Sequence, residues 1–102
     1  MLTHIVLLDP KDTGAYAQIR QAIEILAALP AKIPGMVGLQ HGPNLDFEGK
    51  SRRYAYGFVV TFVDKAANDA YVAHPDHQHA GAILVAACTG GHDGIFAADL
   101  KV

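Results

Sequence analysis

Tyr71, His74 and His77 fall within one seven-residue run, Tyr71-Val72-Ala73-His74-Pro75-Asp76-His77. A phenol and two imidazoles this close together can exchange protons near neutral pH or hold an oxygen by hydrogen bonds. Tyr71 and His74 share one face if the stretch is helical. Pro75 breaks that helix and is well placed to begin another, which puts His77 in the first turn of the second helix. There the positive end of the helix dipole and partial burial both disfavour an imidazolium. The result is neutral imidazole, the form a general base needs. Asp76 acts in the opposite direction but need not point the same way. Tyr71 can donate a hydrogen bond to a developing enolate or phenolate oxygen, in the manner of an oxyanion hole. The reaction class implied is proton abstraction next to a carbonyl, followed by cyclisation or isomerisation, with no metal or organic cofactor required. A plainer arrangement uses the same residues: tyrosine and histidine satisfy each other between helix and sheet, and His74 merely ends a helix.

His4 is a polar residue on a strand face that is otherwise apolar. It reads equally as a core histidine or as one of the few polar groups of a ligand pocket. Metal binding is disfavoured among the six histidines. His77 and His79 point in separate directions on a helix, Pro75 separates His74 from His77, and there is no His-Glu-x-x-His or paired-cysteine spacing. The single cysteine, Cys88, sits among Val85, Ala86 and Ala87. It reads as buried packing and fits a reducing compartment.

The elements that must position these residues can be read from periodicity. Leu2 to Leu8 is a strand stopped by Asp9-Pro10, with Leu2, His4, Val6 and Leu8 on one side and Ile5 and Leu7 on the other. Asp12 or Thr13 caps a helix whose inward stripe is Tyr16, Ile19, Ile23, Leu26 and Ala27, and Pro30 ends it. Ile33-Pro34-Gly35 turns into a second strand over about 36–41. Residues 42–53 form a polar loop that could act as a flap, with Lys50, Arg52 and Arg53 as a solvated basic cluster. Tyr54 to Val63 is the strongest strand, with Tyr56, Phe58, Val60 and Phe62 on its bulky face. Asp64 caps a helix with Ala67, Ala70, Tyr71 and His74 inward. A further helix runs from Pro75 to about Cys88, with His77, Ala80, Leu84 and Cys88 inward. After a glycine-rich loop, Ile95 to Val102 is the last strand.

The order β-α-β-β-α-β, with the second helix broken at Pro75, suits an α+β ferredoxin-like fold over residues 1–102: an antiparallel sheet with helices on one face. A chain of 102 residues is one domain. Its charged fraction of 18% is below the usual quarter or so, so part of the outside should also be covered. The strands are apolar on both faces, whereas an antiparallel sheet with a wet side alternates cleanly. A second copy packed on the helix-free face is the simplest cover, giving a homodimer with a barrel-like centre. The net charge of −2 and the lack of a basic field argue against nucleic acid as a partner. No segment has the length of a membrane span or the pattern of a secretion signal, so a cytoplasmic location is expected.

Taken together, these residues resemble the stress-responsive A/B barrel (Dabb) family of dimeric α+β barrel proteins. The resemblance covers nearly the whole chain. It is carried by His4-Ile5-Val6-Leu7, Ile33-Pro34-Gly35-Met36, Gly42-Pro43-Asn44, Phe58-Val59-Val60-Thr61-Phe62, the run from Tyr71 to His77, and Asp99. The family is named for stress-induced plant proteins. One plant member is a polyketide cyclase that performs an intramolecular aldol condensation, and its tyrosine and second histidine correspond to Tyr71 and His77. The first-strand histidine, here His4, lines the same cavity in that relative. The loop at 42–53 and the alanine-rich third helix depart from the cyclase.

Two functions are therefore expected in competition. The first is a homodimer that binds a small aromatic or polyketide-like molecule in a cavity within each subunit, with His77 as base, Tyr71 as hydrogen-bond donor, and His4 and His74 as orienting groups. The second is a non-catalytic, stress-protective structural protein, whose interior should be filled by side chains.

Overall fold

The computed structural model describes residues 1–102. Four strands, β1 (Leu2–Leu8), β2 (Met36–Pro43), β3 (Tyr56–Phe62) and β4 (Ile95–Lys101), form one antiparallel sheet in the order β2-β3-β1-β4. Three helices, α1 (Ala15–Ala27), α2 (Lys65–Ala73) and α3 (Pro75–Ala87), complete the ferredoxin-like α+β fold. β1 is central, so every residue on it has a cross-strand neighbour on both sides. His4 lies opposite Val60 of β3 and Asp99 of β4.

The core lies between the sheet and the helices. Val6, Leu8, Phe58, Val60 and Phe62 meet Ile19, Ile23, Leu26 and Leu84 in one buried cluster. Alternation along β1 and β3 produces this, because residues two apart share a face. Residues of the other set, Ile5, Leu7, Val59, Phe96 and Leu100, belong to the helix-free face. Phe96 and Leu100 remain about half exposed in the single chain.

Local chemistry sets the element ends. The Asp12 carboxylate accepts from Ala15 N at 2.9 Å, so Asp12 supports the start of α1. Asp64 Oδ1 accepts from Ala67 N at 3.0 Å and caps α2. Gly35 adopts φ 87°, and a Cβ there would meet Ala67 Cβ and Val63 Cγ2 at 2.8 Å, so the Ile-Pro-Gly turn requires glycine. The stripe on α1 is rotated from its expected position: Ala15 and Ala22 are buried, whereas Tyr16 and Ala27 are exposed. Tyr16 instead packs edge-on against Tyr56 at the start of β3. β3 begins at Tyr56 rather than Tyr54, because Ala55 N bonds to Leu8 O and Asn44 N to Ala55 O outside the regular ladder.

The connection after β2 is braced. Asn44 Nδ2 donates to Ser51 Oγ and Tyr54 O, and Asp46 Oδ1 accepts from Lys50 N, Ser51 N and Ser51 Oγ. Arg53 is not a free loop cation. Its Nε donates to Asp9 Oδ2 and its Nη2 to Asp93 Oδ2, each at 2.8 Å. No helix is long and apolar enough to cross a membrane.

A cleft between the sheet and the broken helix

The break at Pro75 creates the candidate site. His74 is in extended conformation, φ −67° and ψ 135°, the geometry a following proline imposes. It ends α2 and caps α3 at once, its Nδ1 accepting from Asp76 N at 3.0 Å. Pro75 fills the first position of α3, where a missing N–H costs nothing. The change of direction brings His77 back over Tyr71, with ring centroids 4.5 Å apart.

These rings form one end of a cleft of about 760 Å³ between the helix-covered face of the sheet and α2 and α3. Its floor is His4, Val6, Phe58, Ile95 and Ala97; its wall includes Tyr71, His77, Gly81, Leu84 and Val85. His92, on the 3₁₀ turn Gly91–Gly94, also borders it. Most of the lining is apolar, which is what a small-molecule pocket with a few convergent polar groups requires. No residue of the 44–53 connection reaches it.

Of the four residues expected at a site, three are brought together. Tyr71 is 1% exposed and its ring packs against Phe62, His77 and His4, at centroid distances of 5.2, 4.5 and 6.2 Å. Its hydroxyl has no hydrogen-bond partner within the chain, although it borders the cleft. Burial pushes its ionisation far above the ordinary phenol range, so it stays a donor. Nδ1 of His77 is buried without a well-formed hydrogen bond, and the Val72 backbone is the polar group beside the ring. Desolvation pulls the His77 pKa below its ordinary value, opposed by the Val72 backbone and assisted by nearby His4. Neutral imidazole is thus the favoured form. His4 Nδ1 lies 2.7 Å from Asp99 Oδ1. A carboxylate only accepts, so Nδ1 donates to it, and this bond fixes the orientation of the His4 ring over the cleft. His74 stands apart: its ring is engaged at the helix junction and does not line the cleft.

Two neighbours of the site have no role legible in the sequence, although Asp99 is one of the residues that carry the family resemblance. Asp99 becomes legible once β1 and β4 are paired antiparallel, since the register sets it opposite His4. His92 follows two glycines with positive φ, Gly90 and Gly91, which turn the chain back toward the cleft mouth; spacing alone does not reveal that return. Burial raises the pKa of the Cys88 thiol, consistent with packing rather than reactivity.

Against known proteins, residues 2–102 match the model of the Stress responsive A/B Barrel Domain. A dimeric ferredoxin-like protein of unknown function from Jannaschia sp. CCS1 is 53% identical, with a TM-score of 0.94 over 99% of this chain and 98% of that one. A second dimeric ferredoxin-like protein of unknown function, from Thermobifida fusca, is 28% identical, with a TM-score of 0.75 over 99% and 90% of the two chains. An Arabidopsis thaliana protein is 26% identical, with a TM-score of 0.81 over 100% and 95%. No curated protein matches the chain.

Proposed function

The chain belongs to the stress-responsive A/B barrel family, and on that premise we propose that it is a homodimeric, cofactor-independent protein that binds a small aromatic or polyketide-like molecule in its cleft and abstracts a proton from it. One observation carries this reading: the Tyr71 ring is almost wholly buried, yet its hydroxyl makes no hydrogen bond within the chain and lies with the His77 ring at one end of an apolar cleft. A hydroxyl left unpaired at the border of a cleft is free to donate to a ligand oxygen, and proton-active groups cluster at functional sites.

In the proposed reaction His77 removes a proton from carbon next to a carbonyl. The carbonyl oxygen becomes an enolate oxygen, and Tyr71 donates a hydrogen bond to it. His4, oriented by Asp99, holds a second oxygen of the ligand or relays the proton. His74 acts by position: its cap fixes the start of α3 and hence the place of His77. Attack of the enolate carbon on an internal carbonyl gives cyclisation, the new alkoxide taking back the proton from His77; return of that proton to a different, conjugated carbon gives isomerisation.

The partner is a second copy on the helix-free face. Similar proteins described as dimeric support this, as do Ile5, Leu7, Val59, Phe96 and Leu100 on that face and a shallow depression of about 320 Å³ bordered by Ile5, Leu7, Gly57 and Val59. The reading includes a cytoplasmic setting, which the lone buried Cys88 suits.

Hydrogen–deuterium exchange at the methyl group of acetophenone in heavy water, followed by NMR, tests proton abstraction directly. Exchange above the buffer rate with wild type, lost in His77→Ala at unchanged dimerisation, is expected. Equal exchange in that variant removes His77 from the mechanism.

A further inference from the structure

Gly81 occupies the middle of α3 without any packing reason for being glycine. It is absent from the positive-φ glycines, which are Gly35, Gly49, Gly90 and Gly91. A Cβ built on it meets nothing within 4 Å, so no neighbouring element approaches closely enough to demand the small residue. A glycine inside a helix is less stable there than alanine. Local structure therefore gains nothing from it.

The cleft does. His77, Gly81 and Val85 are spaced i, i+4 and i+8, a single row along α3, and all three line the cleft. A side chain at Gly81 would stand in that row, between the two others, and occupy open cleft. The polar end of the same space is marked independently by the Tyr71 hydroxyl, 99% shielded as a residue and without a partner. One end is thus polar and unsatisfied, while the stretch beyond it is apolar and kept vacant.

We propose that Gly81 is a specificity-determining residue: by leaving out a side chain it makes room along α3 for the apolar tail of a ligand whose oxygen-bearing head sits at Tyr71 and His77. The chain then prefers elongated molecules over compact ones with the same head. This rests on the reading of the cleft as a small-molecule site and adds the shape of the ligand to it. The preference arises from volume, since overfilling a packed site is penalised steeply even for one methyl group.

The test uses two probes with a common head, phenol and 4-pentylphenol, titrated calorimetrically into the intact protein, Gly81→Ala and Gly81→Leu. Wild type is expected to bind 4-pentylphenol more tightly than phenol. Gly81→Ala should weaken 4-pentylphenol by about tenfold and leave phenol unchanged, with Gly81→Leu exaggerating the split. The melting temperature of ligand-free Gly81→Ala should rise or stay constant. A fall in that temperature overturns the proposal, because it would give the glycine a packing role. Equal losses for both phenols, or none for either, overturn it as well while leaving the cleft reading intact. Wild type that binds neither phenol defeats the cleft reading itself, and this proposal with it.

Discussion

Replacing Tyr71 with Phe should make the protein more stable and less functional. The ring is 1% exposed and packs against Phe62, His77 and His4, and Phe preserves all of that packing. What disappears is a hydroxyl with no partner in the chain. A buried polar group left unsatisfied costs about 1–3 kcal/mol. This hydroxyl borders the cleft, where water relieves part of the cost, so the gain should lie near the lower end, about 1 kcal/mol. For a domain of this size that corresponds to a rise in Tm of about 5 °C. Tyr71→Ala is the contrasting variant: it deletes the ring and should cost about 3–5 kcal/mol. Differential scanning calorimetry at one fixed protein concentration measures both, the concentration being held because a dimer's Tm depends on it. Acetophenone exchange measured on the same samples should fall for Tyr71→Phe despite its higher Tm. A Tm for Tyr71→Phe below that of wild type would refute the reasoning, since the hydroxyl would then be satisfying a structural partner.

Three further outcomes are expected. Burial lowers the His77 pKa from 6.5, so below that pH the unfolded chain binds a proton that the folded chain resists; stability should be full above pH 6.5 and decline as the pH falls toward the folded value, and urea denaturation across pH 5–8 should give a flatter profile for His77→Gln. Asp99→Asn should lower the exchange rate by about tenfold through loss of His4 orientation while barely moving Tm, because Asp99 is 60% exposed in its side chain. Val59→Lys places an unpaired charge at the centre of the helix-free face and should weaken self-association by more than about a hundredfold; gel filtration reads the dissociation, and circular dichroism should remain native because this side chain points away from the core.

Much of the fold was legible because it is governed by short-range rules. Alternation gave the strands and their faces, Asp64 gave the start of α2, and Pro75 gave the bend that joins Tyr71 to His77. The misplacements have tertiary causes. Tyr16 is an aromatic at inward helical spacing, but Ala15 and Ala22 provide the close fit to the core and Tyr16 goes to Tyr56 at the start of β3. Arg53 belongs to a polar tract, and only the folded chain brings Asp9 and Asp93 to it. His74 sits at the right interval for the inward face of α2, yet the extended backbone before Pro75 turns its ring to the Asp76 N–H. The cleft itself was the least legible feature, since open space beside Gly81 is a property of what surrounds that residue and not of the residue type.

The central claim is that Tyr71 and His77 await a ligand. Histidine ring-nitrogen NMR during titration with phenol tests it most directly, with exposed His79, which does not line the cleft, as the internal reference. Saturable shifts at His77 and His4, with His79 unmoved, are the predicted result. Shifts absent from His77, or equal at all three histidines, would contradict it.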